Sequence, residues 1–203
     1  MGSTVHLLVI DNRDSFVYNV VELLRSLPEL TFEVIPEGEL ELSSLPEHDG
    51  LILSPGPGVP SEFPRMQALI RAEAGVKPIL GICLGHQALA EHYGATLVQL
   101  PAPRHGHASA LEVIDPTDSL VGAIPTGSLV GRYHSWAVDE ASLPSCLVPT
   151  AYCADADEGR VLMAMRHRTE PMWSVQFHPE SMISEHGCAY LSAFATAVRA
   201  WRR

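Results

Sequence analysis

Short apolar runs recur along the first half of the chain, separated by polar stretches. The first, "VHLLVID" at Val5 to Asp11, is apolar at almost every position, which is typical of a strand buried on both faces. Three further runs have the length and composition of strands, and they lie at Phe32 to Ile35, Gly50 to Ser54 and Pro78 to Ile82. The pattern therefore predicts four strands in this half.

Helical periodicity fills most of the segments between these runs. After the first strand, apolar residues at one helical face are Phe16, Val20, Leu23, Leu24 and Leu27. Asp14 or Ser15 can cap this helix, and Pro28 ends it. Residues 62–75 and 84–93 are predicted to form two further helices, each with a glycine near its end. Strands and helices that alternate with short connections predict a central, mostly parallel sheet flanked by helices.

The second half has a different pattern. Its strand-like runs follow one another without long helices between them, as in "SALEVID", "VGRYHSWAV", "CLVPTAYC", "VLMAMRH" and "MWSVQF". We interpret these runs as antiparallel strands that extend the sheet, followed by a final helix over residues 185–199. No repeat, low-complexity tract or linker divides the sequence, so we expect residues 1–203 to form a single α/β domain.

Composition narrows the classes of function. A net charge of −11 argues against a nucleic-acid or anionic-membrane partner, because either would require a basic face. No apolar run approaches the roughly 18 residues of a membrane span, and the N-terminus has no signal-peptide pattern. The four cysteines form no C-x-x-C pair, and we expect reduced thiols in a cytoplasmic protein. The ten histidines show no metal-ligand spacing, and we expect neither a metal nor a cofactor.

A cysteine stands where the fourth strand meets the third helix. The segment "GICLG" places Cys83 between Gly81 and Gly85, which is the pattern of a nucleophile elbow with cysteine in place of serine. The helix that begins at Leu84 directs its N-terminal dipole at Cys83, which favours the thiolate. The alternative is a small buried strand-end residue, and the motif alone does not separate the two.

A histidine and a carboxylate lie two residues apart in "FHPES". Pro179 disfavours helix here, so we expect an extended chain in which His178 and Glu180 point the same way. His178 can then act as a base that Glu180 orients. Taken alone, the motif favours a surface histidine and glutamate at the end of a strand, and only together with the elbow does it favour a catalytic pair.

The Pro/Gly loop "SPGPG" follows the third strand. A thioester-forming site needs amide donors aimed at the developing oxyanion, and proline has no N–H. Gly56 and Gly58 are therefore the available donors within this loop, with Gly56 favoured as the partner of the Leu84 amide. An ordinary Pro/Gly turn is the alternative. The three segments "DNRDS", "SPGPG" and "GICLGHQ" all lie at predicted carboxyl ends of strands, where ligands bind in such sheets.

Together these motifs resemble a known family. "LSPGPG", "GICLGHQ", "GRYHSW" and "FHPES" occur in the order and spacing of the class I (triad) glutamine amidotransferases, and the resemblance extends from Val5 to the last helix. "IDNRDSFVYNVVELL" is similar to the amidotransferase subunits of anthranilate synthase and aminodeoxychorismate synthase. The resemblance implies a flavodoxin-like amidotransferase fold in which L-glutamine is hydrolysed through a thioester on Cys83, with His178 relaying protons and Glu180 orienting it.

The resemblance also implies binding residues and a partner. Gln87, Ser135 and Trp136 match the family's glutamine-binding positions, the last two through their backbone. The freed ammonia would pass to a separate chorismate-binding synthase subunit, in the tryptophan or folate pathway. The chain departs from the family's usual residues at Arg13, Val17, Trp136 and His107. Arg13 and His107 are expected near the partner face, so they bear on the partner's identity.

The sequence is also compatible with other functions. The chain could serve another synthetase, such as those of guanylate or carbamoyl phosphate synthesis, although "DNRDSFVYN" argues against this. An inactive regulatory subunit is disfavoured because Cys83, His178 and Glu180 are all present. A stand-alone cysteine hydrolase is more distant. The sequence does not separate anthranilate from aminodeoxychorismate synthesis.

Overall fold

The structure is a computed structural model that describes residues 4–155 and 159–201. In this part of the chain eleven strands and four α-helices are defined. The strands are β1 (Val5–Asp11), β2 (Leu30–Pro36), β3 (Gly50–Leu53), β4 (Ile79–Ile82), β5 (Leu97–Gln99), β6 (His107–Val113), β7 (Leu129–Arg132), β8 (Trp136–Val138), β9 (Leu147–Asp155), β10 (Gly159–His167) and β11 (Met172–Val175). The helices are α1 (Phe16–Arg25), α2 (Pro64–Glu73), α3 (Leu84–His92) and α4 (Gly187–Trp201).

Nine of these strands form one sheet in the order β2-β1-β3-β4-β11-β10-β9-β6-β7. The five strands from β2 to β11 are parallel to their neighbours, and those from β11 to β7 are antiparallel. Strands β5 and β8 pair separately as a short antiparallel ribbon. The predicted class, a mostly parallel sheet flanked by helices with antiparallel strands in the second half, is confirmed.

Both faces of the parallel half are buried, as its continuous apolar runs predict. Alternate side chains of β1 point to opposite faces. Leu7 and Val9 pack in the cluster that also contains apolar residues of α1 and α4, whereas Leu8 and Ile10 pack in the cluster with α2 and α3. Two helical layers therefore enclose the sheet, and the carboxyl ends of β1, β3, β4 and β11 share one edge.

The first helix begins as the sequence indicates. The Asp14 carboxylate accepts a hydrogen bond from the amide of Phe16 at 2.8 Å, so Asp14 satisfies one of the free donors at the helix start. Ser15, the other candidate, makes no side-chain cap bond. No helix in the described ranges is long and apolar enough to cross a membrane.

Two local predictions are wrong in part. The "MWSVQF" run was expected among the antiparallel strands, but β11 is antiparallel only to β10 and runs parallel to β4. Strand direction depends on the connection, which the run's own pattern does not encode. The "HPE" segment is also not extended. The amide of Ser181 donates to the carbonyl of His178 at 3.1 Å, which closes a turn with Pro179 at its second position, where proline is favoured.

Candidate functional site

Cys83 lies on a sharp turn between β4 and α3. Its φ is +52°, on the left-handed side that non-glycine residues rarely adopt. The turn is held from both sides, because the Cys83 amide donates to the carbonyl of Val175 (2.9 Å) and its carbonyl accepts from the amide of Gln87 (3.1 Å). The neighbouring structure therefore maintains a strained cysteine at the carboxyl edge of the sheet.

The two glycines around Cys83 allow the helix to pack directly against the sheet. A Cβ on Gly81 would lie 2.6 Å from the carbonyl of Gly85, and a Cβ on Gly85 would overlap the carbonyl oxygen of Leu53. Because these obstacles are backbone atoms, they cannot move aside as a flexible side chain would. The glycines thus set how closely the start of α3, and with it the Leu84 amide, approaches β3 and β4.

His178 and Glu180 form a buried pair at the same edge. The Nδ1 of His178 donates to the Oε1 of Glu180 at 2.7 Å, and both side chains are almost completely inaccessible to solvent. The rings of Phe16 and Tyr133 pack against the imidazole, with centroid separations of 4.7 and 5.0 Å. This packing fixes the ring orientation, so the turn achieves the pairing that the sequence attributed to an extended chain.

The charge environment favours a protonated His178. Burial acts to lower the pKa of His178, but the charge and hydrogen bonding of Cys83, followed by the hydrogen bond and charge of Glu180, outweigh it and raise that pKa to about 10. The other ring nitrogen, Nε2, is buried, and its interaction with Cys83 is looser than an ordinary hydrogen bond. Loose catalytic hydrogen bonds are common in unliganded sites. The arrangement suits a thiolate–imidazolium pair.

The Pro/Gly loop converges on the elbow. A Cβ on Gly56 would overlap the side chain of Leu84, so these two residues are in direct contact. Asn12 anchors the loop. Its backbone nitrogen donates to the hydroxyl of Ser54 (3.1 Å), and its side-chain Nδ2 donates to the Ser54 carbonyl (2.8 Å). Gly58 lies farther along, with φ +68°, against the carboxylate of Glu62. Gly56 thus contacts Leu84, whereas Gly58 lies against Glu62, and the role of either amide as an oxyanion donor stays a prediction.

A cavity of about 240 Å³ opens beside Cys83, a size suited to a ligand smaller than a typical drug. Gln87 projects from α3 toward its wall and donates through Nε2 to the carbonyl of Trp136 at 2.8 Å. The structure brings together the predicted residues Gly56, Gly58, Cys83, Gln87, Ser135 and Trp136 around this space. The full lining is Asp14, Gly56, Pro57, Gly58, Cys83, Gln87, Tyr133, His134, Ser135 and Trp136.

Sequence reasoning missed one polar residue that contacts Cys83. Gln176 is completely buried just beyond β11, and its Nε2 lies 3.6 Å from the Cys83 sulfur. The available signal was a glutamine inside the largely apolar run "MWSVQF", because a buried amide requires hydrogen-bond partners. His86 was also missed. It is buried with its Nδ1 2.9 Å from the hydroxyl of Ser174, and burial lowers its pKa to about 3, so it is neutral.

The departures from the family pattern lie mostly outside the cavity. Arg13 is exposed and places its guanidinium 4.8 Å from the centre of the Phe63 ring. His107 is exposed on β6, and Val17 is buried in α1. A larger cavity of about 460 Å³ lies between the ends of β10 and β11 and helix α4, but none of the predicted site residues lines it. Across the described ranges, no cluster of three or more potential ligands could hold a metal ion.

Comparison with known proteins identifies the relatives of this chain. The family described as glutamine amidotransferase class-I matches residues 8–198. Aminodeoxychorismate synthase component 2 from Serratia marcescens is 40% identical over 194 residues, which cover 93% of this chain and 98% of that protein. Anthranilate synthase component 2 from Azospirillum brasilense is 38% identical over 195 residues, which cover 95% and 96%.

Solved structures support the same architecture. A crystal structure from Thermoplasma acidophilum, of a protein named for GMP synthase, superposes with a TM-score of 0.85 at 25% identity and covers 100% of this chain and 98% of that one. A glutamine amidotransferase from Thermotoga maritima gives a TM-score of 0.68 at 18% identity, with 98% and 85% coverage, and speaks to the fold alone. The fold is thus shared among relatives that are named for different synthases.

Proposed function

The chain belongs to the class-I glutamine amidotransferase family, and from this premise we propose that it is the glutaminase subunit of a chorismate-aminating synthase. The observation that carries the proposal is the meeting of Cys83, the His178–Glu180 pair and the Gly56 loop at one edge of the sheet. Relatives named as component 2 of anthranilate or aminodeoxychorismate synthase favour this class of partner over guanylate or carbamoyl phosphate synthetases.

In the first half of the proposed reaction, the Cys83 thiolate attacks the side-chain amide carbon of L-glutamine. The amides of Gly56 and Leu84 would stabilise the oxyanion that forms on the carbonyl oxygen. As the C–N bond breaks, the His178 imidazolium gives its proton to the leaving nitrogen, which departs as ammonia. A γ-glutamyl thioester remains on Cys83.

In the second half, neutral His178 removes a proton from water, which attacks the thioester carbonyl. Collapse of this intermediate breaks the C–S bond, releases glutamate and regenerates the thiolate with imidazolium. Glu180 keeps the imidazole oriented throughout. Gln87 and the backbone of Ser135 and Trp136 are proposed to hold the amino-acid end of glutamine, since all three line the cavity.

The synthase subunit is proposed to dock over the rim of this cavity. Tyr133 lines the cavity, and its hydroxyl lies 2.9 Å from that of Ser181, the residue that closes the His178 turn. Met182 follows directly and is fully exposed. An exposed methionine is an adaptable apolar contact for a partner. Docking here would keep the released ammonia away from solvent, which would otherwise protonate it.

Reconstitution with a candidate synthase subunit tests the proposal. The complex should convert chorismate and glutamine to either anthranilate or aminodeoxychorismate, and ammonium should replace glutamine for the synthase alone. The matched control is the complex with Cys83→Ser, which should use ammonium but not glutamine. Full glutamine-dependent amination by that variant would overturn the assignment of the nucleophile. Amination of a nucleotide in place of chorismate would overturn the class of partner.

A further inference from the structure

Gln176 connects the proposed glutamine contact to the nucleophile, although the reaction outlined above does not use it. Its side chain is completely buried. One end, Oε1, accepts a hydrogen bond from the Nε2 of Gln87 at 3.2 Å, and the other end, Nε2, lies 3.6 Å from the sulfur of Cys83, within the longer range of hydrogen bonds to sulfur. The amide thus bridges two residues that the reaction needs.

The orientation of this amide is set by its neighbours. The backbone carbonyl of Trp136 can only accept, so the Gln87 atom beside it must be the nitrogen. That NH₂ group has a second hydrogen, and the Gln176 atom that faces it must therefore be the oxygen. The nitrogen of Gln176 is left to face Cys83. If the Gln176 amide were flipped, its NH₂ group would face the NH₂ group of Gln87, and both groups can only donate. Its carbonyl oxygen would then face the sulfur of Cys83.

His134 also contacts the backbone carbonyl of Trp136, and its own partners fix which ring nitrogen donates. The Trp136 carbonyl has two lone pairs and also lies 2.9 Å from the Nδ1 of His134. The Nε2 of His134 accepts from the Nε of the completely buried Arg132 at 3.3 Å, and an arginine cannot accept. Burial, followed by the charge of Arg132, lowers the pKa of His134 to about 3. A neutral ring with one donor and one acceptor matches both contacts.

We propose that Gln176 stabilises the Cys83 thiolate by donating an N–H to its sulfur, in an orientation that its hydrogen bond with Gln87 enforces. The inference rests on the proposed role of Cys83 as nucleophile. Cys83 is only 6% exposed, so a protein donor replaces much of the solvation of its thiolate, and a hydrogen bond to a charged acceptor is stronger than one between neutral groups. Gln176 therefore raises the fraction of Cys83 that is present as the nucleophilic thiolate.

The pH dependence of Cys83 alkylation tests this role without requiring turnover. The free chain is treated with iodoacetamide over a range of pH, and mass spectrometry follows the peptide that contains Cys83, because other thiols such as the exposed Cys188 also react. In Gln176→Leu the midpoint should move to higher pH by about one unit, since a donor to a charged group is lost. At pH values below both midpoints, alkylation should slow about tenfold. Gln67→Leu, a half-buried glutamine on α2, should leave the midpoint unchanged.

A folded Gln176→Leu variant with the wild-type midpoint would overturn the inference. If that variant does not fold, Gln176→Glu serves instead, because it keeps the shape of the side chain. Its carboxylate should repel the thiolate and shift the midpoint upward at least as far as Gln176→Leu does. An unchanged midpoint in Gln176→Glu would likewise overturn the inference. The proposed function fails separately: if complete alkylation of Cys83 leaves glutamine hydrolysis intact in the synthase complex, Cys83 is not the nucleophile, whatever its midpoint.

Discussion

Replacing Glu180 by glutamine should make His178 lose its proton at lower pH. In the native site the pKa of His178 is raised to about 10, despite its burial, by the charge and hydrogen bonding of Cys83 and then by the hydrogen bond and charge of Glu180. Glu180→Gln keeps the shape of the side chain and the 2.7 Å contact with Nδ1, but it removes the negative charge. The remaining support for the imidazolium then comes from Cys83.

The size of the effect follows from the burial of the pair. Both side chains are shielded from solvent, so the interaction is not weakened by water as a surface ion pair would be. A hydrogen bond to a charged group contributes about 1.5–3 kcal/mol, and 1.36 kcal/mol corresponds to one pKa unit, so the pKa of His178 should fall by about 1–2 units. A histidine whose folded pKa is raised stabilises the fold fully below its ordinary value near 6.5, and this stabilisation is lost as the pH rises through about 10.

Histidine-selective NMR of the free chain measures the shift directly. At pH 8 an ordinary imidazole is neutral, and burial keeps His86 and His134 neutral by lowering their pKa values to about 3, so a ring still protonated at pH 8 identifies His178. Its resonance should titrate earlier in Glu180→Gln. It should not move in Glu22→Gln, which removes the carboxylate of an exposed ion pair. A His178 that titrates near 6.5 in the wild type, or identically in Glu180→Gln, would show that Glu180 does not hold the proton on His178.

Two further substitutions test the packing and the docking surface. Gly85→Ala places a Cβ against the backbone of Leu53 and should lower the free energy of unfolding by about 1–3 kcal/mol in urea titrations. Gly38→Ala, which has open space around it, should leave the free energy of unfolding unchanged. Equal stability of the two variants would show that Gly85 is not needed for close packing. Met182→Glu should weaken binding to the synthase partner by about tenfold or more in titration calorimetry, as expected for a buried anchor. Val76→Glu, an exposed apolar position before β4 at the far end of the strand from Cys83, should bind as the wild type does.

The parallel half of the fold was predictable because each of its strands and helices carries its own hydrophobic pattern, and the pattern repeats from one element to the next. Strands such as β1 and β3 are buried on both faces, so their sequences are almost entirely apolar, and the helices between them carry a one-sided apolar pattern. Polar and Gly/Pro-rich segments then had to lie at the ends of strands. The sequence pattern was therefore sufficient to place Cys83 and the Gly56 loop at the same edge.

The remaining details depended on contacts distant in sequence. The direction of β11 is set by its pairing with β4, which lies some ninety positions earlier in the chain and which the run itself does not specify. The pairing of His178 with Glu180 was expected from an extended chain but arises from a turn. Gln176 was detectable only as a polar residue in an apolar run, and its partners Cys83 and Gln87 come from another element.

Trapping the thioester intermediate identifies the nucleophile. The complex with the synthase partner is mixed with isotopically labelled L-glutamine and quenched in acid during turnover, and the digest is searched by mass spectrometry for a γ-glutamyl adduct. The adduct is expected on the peptide that contains Cys83, and Cys83→Ser should lose both the adduct and the release of ammonia from glutamine. An adduct on a different residue, or ammonia release by Cys83→Ser at the wild-type rate, would show that Cys83 is not the nucleophile.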